Sequence, residues 1–179
     1  MTLASYISLL RIFLIVPIIY LTNGEDLALN SIALILFLLA ITTDYLDGFL
    51  ARKTNTVSSL GALLDLLADK LLVCIILIWL VYKLDSTFII FPVLLIIFRE
   101  FTVSTIRQFV FERIGKNPVK VTKLGKSKST IQFIAISFLI MSSNYGSAFN
   151  FITISLLWLA AIISIYSLLN YLKAYKEYI

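Results

Sequence analysis

Histidine is missing from this 179-residue chain, and cysteine occurs once, as Cys74 inside an apolar run. A disulfide framework within the chain and a His/Cys zinc site are therefore excluded, and Cys74 reads as a small lipid- or helix-facing residue. Charge is scarce as well. Only 14% of residues are Asp, Glu, Lys or Arg, where a soluble domain carries about a quarter. In their place 60% of residues are hydrophobic and the mean hydropathy is +1.00. Such an apolar excess is more than a water-facing surface absorbs, and the length suits one domain over residues 1–179. The class is an integral membrane protein.

Six apolar stretches approach the roughly 20 residues that a helix needs to cross a ~30 Å hydrocarbon core. They lie at about 4–22, 30–52, 59–82, 86–107, 124–143 and 148–172. These runs are far too long for barrel strands, so the expected fold is all-α, with six transmembrane helices. The first run lacks a basic start and a small-residue cleavage site, so it is expected to stay as a helix.

The net charge of +5 could suggest nucleic acid, but the basic residues cluster between the apolar spans. They read instead as loop charges facing anionic headgroups, with no nucleic-acid partner. Connections around Asn23–Asp26, Lys83–Ser86 and Ser142–Ser147 are poor in Lys and Arg. Alternate connections carry Arg52 and Lys53, then the stretch from Arg107 to Lys128, then Lys173 and Lys176. That asymmetry places both termini in the cytoplasm. Tyr6, Tyr20, Tyr82, Tyr145, Tyr171 and Tyr175 fall near span ends, and Trp79 and Trp158 near the outer ends of theirs, as interfacial anchors do.

Four aspartates stand where hydropathy forbids them. Asp44, Asp47, Asp65 and Asp69 lie in or at the edge of the second and third spans. A carboxylate there is unfavourable by several kcal/mol unless it meets a polar cavity or a partner. Asp44, Asp47, Gly48, Ala51 and Arg52 follow one helix face at i, i+3, i+4, i+7 and i+8, and Gly61, Asp65 and Asp69 follow another at i, i+4 and i+8. A connection of about six residues makes the two helices antiparallel, so the acidic stripes are expected to confront each other. Four carboxylates repel unless neutralised, and Arg52 and Lys70 are the only cations near them in sequence. Oxygen-only ligands favour Mg²⁺, Mn²⁺ or Ca²⁺. Two such ions suit phosphoryl displacement. Gly48, Ala51 and Gly61 on these faces leave room for a ligand or let the helices approach closely. An ion or proton relay in a transporter would also use intramembrane acids.

The run Asp44-Tyr45-Leu46-Asp47-Gly48-Phe49-Leu50-Ala51-Arg52, eight residues, then Gly61-Ala62-Leu63-Leu64-Asp65-Leu66-Leu67-Ala68-Asp69 resembles the signature D-x2-D-G-x2-A-R-x8-G-x3-D-x3-D of the CDP-alcohol phosphotransferases. Eight residues of fixed type at fixed spacings across 26 positions make this specific. The remainder is similar to the bacterial phosphatidylglycerophosphate synthase branch. Arg11 and Pro17, the pair Arg99-Glu100 with Arg107 beyond it, and Gly125-Lys126-Ser127-Lys128-Ser129-Thr130-Ile131-Gln132 carry that likeness. The chain departs from the family at Ser5-Tyr6-Ile7-Ser8, where Asn-x-Ile-Thr is frequent, at Leu66, where many members have proline, and at Ser129, usually Thr.

The resemblance implies a phosphatidyltransferase moving the phosphatidyl group from CDP-diacylglycerol to sn-glycerol 3-phosphate, with release of CMP. It implies that Asp44, Asp47 and Asp65 hold two divalent cations, Mg²⁺ or Mn²⁺, and that Asp69 contributes while serving as general base. Asp47, Gly48, Ala51, Arg52, Ser58 and Gly61 match the positions around the cytidine diphosphate. The acceptor phosphate needs Arg or Lys donors, and Arg99, Arg107, Lys126 and Lys128 are the expected set. Against this, Arg99 could pair with Glu100 and the lysines could simply obey the positive-inside pattern. The resemblance further implies a homodimer in the cytoplasmic membrane with its active site facing the cytoplasm. Other acceptors keep the same chemistry, namely inositol phosphate, serine or phosphatidylglycerol. A divalent-cation transporter gives no reason for Arg52 and Gly61 at these spacings.

Overall fold

The computed structural model describes the backbone of residues 3–54, 59–115 and 123–176, with side chains described at 5–43, 61, 63–115 and 127–176. Six α-helices follow one another: α1 (Leu3–Leu21), α2 (Leu27–Thr54), α3 (Ser59–Leu84), α4 (Thr87–Ile114), α5 (Lys123–Met141) and α6 (Ser147–Tyr175). A single 3₁₀ turn, Ser142–Asn144, follows α5. Among the described residues there is no strand. Each helix covers one of the six expected apolar runs. The largest difference is at α4, which continues about two turns past residue 107. Hydropathy stops at the first charges, whereas backbone hydrogen bonding does not. The helix ends only at Gly115, whose φ of 73° is left-handed and whose N–H donates to the Phe111 carbonyl at 2.8 Å.

Contacts divide the chain into two compact units: Met1–Leu84 with Leu139–Tyr145, and Asp85–Phe138 with Gly146–Ile179. In the first, α1 packs against both α2 and α3. Ala33, Ala40 and Ala68 are fully buried beside Phe37, Ile18 and Leu77, and small residues of this kind let helix backbones approach closely. One end of this unit is tied by polar contacts. Asn30 Nδ2 donates to Asn144 Oδ1 at 2.6 Å, and Lys83 Nζ donates to the Gly24 carbonyl at 2.9 Å and to Ser143 Oγ at 3.0 Å. Trp79 Nε1 donates to Thr22 Oγ1 at 3.0 Å, so its ring edge is pinned between helices as well as lying near a span end.

In the second unit α4 packs along α6, and Val103, Val110, Leu168, Tyr171 and Tyr175 form its buried cluster. Tyr171 and Tyr175 were expected as interfacial anchors. Both are instead buried and stacked on one another at 5.4 Å, because they stand one turn apart on the side of α6 that meets α4. Tyr6, Tyr20, Tyr82 and Tyr145 are exposed, as an interfacial anchor requires.

Within each unit polarity runs opposite to that of a water-soluble protein. Phe13, Val16, Phe91, Phe98, Phe151 and Ile162 are exposed, while Arg11, Asn30, Arg99, Lys128, Gln132 and Ser164 are buried. Polar groups turned inward behind an apolar surface suit lipid as the surrounding solvent. Thr87–Ile114 and Ser147–Tyr175 are long and apolar enough to cross a membrane, and Ser5–Leu21 and Leu27–Thr43 carry shorter apolar stretches. Asp65, Asp69 and Lys70 interrupt the apolar run of α3, and Lys126 and Lys128 that of α5. Two long apolar helices and an apolar exterior suit a membrane protein.

Candidate functional site

The helix α2 carries the backbone of Asp44, Asp47, Gly48, Ala51 and Arg52, but their side chains, and Ser58 altogether, lie outside the described residues. The other half of the acidic motif is described. Gly61, Asp65 and Asp69 follow one face of the unbroken helix α3, with Gly61 buried and both carboxylates partly open to the surroundings. That exposure is 43% for the side chain of Asp65 and 48% for that of Asp69.

A residue from another helix meets both. Arg11, in the middle of α1 and only 1% exposed, donates from Nη1 to Asp69 Oδ1 at 2.6 Å and reaches Asp65 Oδ1 at 3.4 Å. One nitrogen thus serves two carboxylates a helical turn apart. The first contact is short enough for a charge-assisted hydrogen bond; the second is longer and mainly electrostatic. This corrects the expectation that Arg52 and Lys70 are the only cations near the aspartates. Arg11 is 54 residues away in sequence from Asp65, and packing of α1 against α3 brings it there. The signal that could have found it was an arginine inside the first apolar run, since an ionisable residue at such a place has to meet a partner.

Asp65 and Asp69 offer only oxygen donors, separated by one helical turn, and are open enough for an ion to approach. This donor set fits Mg²⁺ or Mn²⁺ and does not fit zinc. Among the described residues no three acidic or sulfur- or imidazole-bearing side chains gather into a fuller metal cluster. Asp44 and Asp47, expected to be ligands as well, have side chains outside the described residues.

The basic residues expected around an acceptor lie in the second unit. Arg99 is buried in α4 and donates from Nη2 to Ser167 Oγ of α6 at 3.0 Å, with Glu100 Oε2 a long 3.5 Å from its Nη1. Lys128, on α5 and 3% exposed, forms an ion pair with Glu100 Oε1. Glu100, 17% exposed, is therefore the shared counter-ion of two buried cations on two helices. The alternative that Arg99 simply pairs with Glu100 is met in part, and Ser167 is its nearer partner. Arg107, two turns along α4, is half-buried and close enough for its charge to act on Arg99. The side chain of Lys126 lies outside the described residues.

Arg99 Nε, Gln132 Oε1 and Ser164 Oγ are among the polar atoms of this unit that are buried without a hydrogen-bond partner among the described residues. Gln132 stands one turn from Lys128 on α5, and Ser164 one turn from Ser167 on α6. Buried polar atoms are nearly always satisfied, so such a set marks a place suited to water or a polar ligand. Glu100, Gln132, Ser164 and Ser167 carried no site role in the sequence reading. Each is an ordinary polar residue in an apolar run, and only the helix packing sets Glu100 against Lys128 and Ser167 against Arg99.

Comparison with known proteins bears on both sites. The CDP-alcohol phosphatidyltransferase family model matches residues 1–166. A Rickettsia bellii protein named CDP-diacylglycerol–glycerol-3-phosphate 3-phosphatidyltransferase is 40% identical over 180 residues, covering 98% of this chain and 96% of its own. A Rickettsia typhi protein of the same name is 39% identical, with 98% of each chain covered. The Escherichia coli protein of that name is 34% identical over 142 residues, 79% of this chain and 77% of its own. The aspartates of α2 and α3, with the glycines and arginine spaced between them, thus stand inside a match that runs through nearly the whole chain, and the chain belongs to the CDP-alcohol phosphatidyltransferase family.

Proposed function

We propose that this enzyme transfers the phosphatidyl group of CDP-diacylglycerol to sn-glycerol 3-phosphate, giving phosphatidylglycerophosphate and CMP. The observation that carries the reading is the near full-length similarity to relatives bearing that name. The basic set Arg99, Arg107 and Lys128 agrees with it, because a phosphorylated acceptor needs cationic donors and serine does not.

Two divalent cations, held by Asp44, Asp47, Asp65 and in part Asp69, would neutralise the diphosphate and stabilise the departing CMP. Gly48, Ala51 and Gly61 leave space along the acidic faces for the cytidine diphosphate, and Arg52 and Ser58 bind it. Asp69 takes the proton of the acceptor hydroxyl; with no histidine in the chain, a carboxylate is the natural base. Arg99, Arg107, Lys126 and Lys128 hold the acceptor phosphate, and the unsatisfied atoms of Gln132 and Ser164 suit its hydroxyl groups. The protein acts as a homodimer in the cytoplasmic membrane, with six spans and both termini in the cytoplasm.

The decisive measurement offers purified protein CDP-diacylglycerol, Mg²⁺ and a panel of acceptors: glycerol 3-phosphate, inositol phosphate, serine and phosphatidylglycerol. Label should enter lipid from glycerol 3-phosphate, with equimolar CMP. Asp69→Asn should slow CMP release by about 10²- to 10⁴-fold, the range for loss of a general base. No CMP with any acceptor would falsify the reading.

A further inference from the structure

Arg11 is the most deeply buried charged side chain described, and among the described residues it reaches the carboxylates of Asp65 and Asp69. A guanidinium in that position does more than balance charge. It is held by the α1–α3 packing, so the donor at Nη1 is fixed in space, and the 2.6 Å bond to Oδ1 restricts the rotation of the Asp69 carboxylate. It also uses acceptor capacity that Oδ1 would otherwise offer to a metal ion. Asp65, at 3.4 Å, is touched more weakly, and its ligand capacity is less reduced.

The geometry points to Arg11 as the positioning residue of the reaction centre, a fixed cation that orients Asp69 as base and keeps it out of full metal coordination. This rests on the phosphatidyl transfer proposed above. In that step the acceptor O–H bond breaks and its proton passes to the Asp69 carboxylate. The acceptor oxygen bonds to the phosphatidyl phosphorus, and the bond from that phosphorus to the bridging oxygen breaks, its electron pair leaving with CMP. A carboxylate wholly committed to a dication is a poor proton acceptor; the hydrogen bond from Arg11 holds the Asp69 carboxylate in one orientation instead. Arg11 itself touches no reacting atom in this account. It acts through Asp69.

The test separates positioning from simple support of the fold. Mn²⁺ binding alone is measured on detergent-solubilised full-length protein by electron paramagnetic resonance, without lipid, for wild type, Arg11→Gln and Arg11→Lys. CMP release is measured on the same samples. Removing the unit positive charge that touches these carboxylates should tighten Mn²⁺ binding roughly tenfold in Arg11→Gln, the order of a charge–dication repulsion in a water-like dielectric. The same variant should lose about 10- to 100-fold in kcat, as losses of supporting contacts do, with the KM for both substrates little changed. Arg11→Lys keeps the charge on a shorter, freely rotating head that cannot stand where Nη1 does, so Mn²⁺ affinity should return to the wild-type value while kcat recovers only in part. The inference is overturned if Arg11→Gln binds Mn²⁺ no more tightly than wild type, or if its kcat is unchanged. Should Arg11→Gln fail to fold, Arg11→Lys carries the test, and wild-type kcat there would equally sink it. Wild-type protein that releases no CMP at all would instead defeat the proposed reaction, whatever the Mn²⁺ measurements give.

Discussion

Consider Lys128→Met, which removes one partner of the ion pair with Glu100 and keeps the side-chain volume. Lys128 is 3% exposed and Glu100 17%, so the carboxylate left behind sits in a poorly solvated place with one long contact, 3.5 Å from Arg99. Breaking a buried pair from one side is destabilising by 3–5 kcal/mol, and the residual exposure of Glu100 argues for the lower end, about 3 kcal/mol. For a chain of this length that is a loss of about 6–12 °C in the midpoint of thermal unfolding, followed by tryptophan fluorescence in detergent. Adding Glu100→Gln removes the stranded charge. The double variant should recover at least half of the loss, with a coupling above about 1 kcal/mol. Function gives a second readout. If Lys128 also holds the acceptor phosphate, the KM for glycerol 3-phosphate should rise about 10- to 100-fold in Lys128→Met, the worth of one hydrogen bond to a charged group, and the KM for CDP-diacylglycerol should not. Additive single effects in the cycle would refute the pairing. A glycerol 3-phosphate KM equal to that of wild type would refute the acceptor role.

Two further outcomes follow from the polar end of the first unit. Asn30→Ala removes the 2.6 Å bond to Asn144 from a fully buried position, so stability should drop by about 1–3 kcal/mol while CMP release per folded molecule stays at the wild-type rate. Lys83, beyond the expected end of the third span, has its ammonium pushed below the usual lysine range by burial, with Glu25 opposing the shift. Below the folded-state value both states are charged and the fold bears the whole desolvation penalty. As pH rises from there towards the unfolded value of 10.5, the folded state releases its proton first and stability increases. Wild type should therefore gain on Lys83→Met in unfolding midpoint across that window, and a difference independent of pH would remove the argument.

The relatives extend the sequence reading in one direction and the coordinates in another. A match over residues 1–166 makes the motif at Asp44–Asp69 part of a whole-chain likeness, and the helix α3 keeps Asp65 and Asp69 on one face as their spacing requires. What the spacing did not contain was the third party. Charge balance counted along the chain found Arg52 and Lys70 beside the aspartates, and among the described residues the Arg11 guanidinium also reaches Asp65 and Asp69.

Read alone, the sequence determines quantities that are local or summed. The apolar runs define six helices to within about a turn except at the polar end of α4, because helix hydrogen bonds join residues four apart and hydropathy is a property of the segment. The reaction class is legible for the same reason, since the motif sits within 26 consecutive positions on two neighbouring helices. Tertiary structure decided the pairings across distance: Arg11 with Asp69, Lys128 with Glu100, Arg99 with Ser167, and the burial of Tyr171 and Tyr175 that hydropathy had put at the interface. Each depends on which helix lies beside which and on rotation about the helix axis. Neither is encoded in any local window, because an arginine or a tyrosine in an apolar run has the same spacing whichever neighbour it faces.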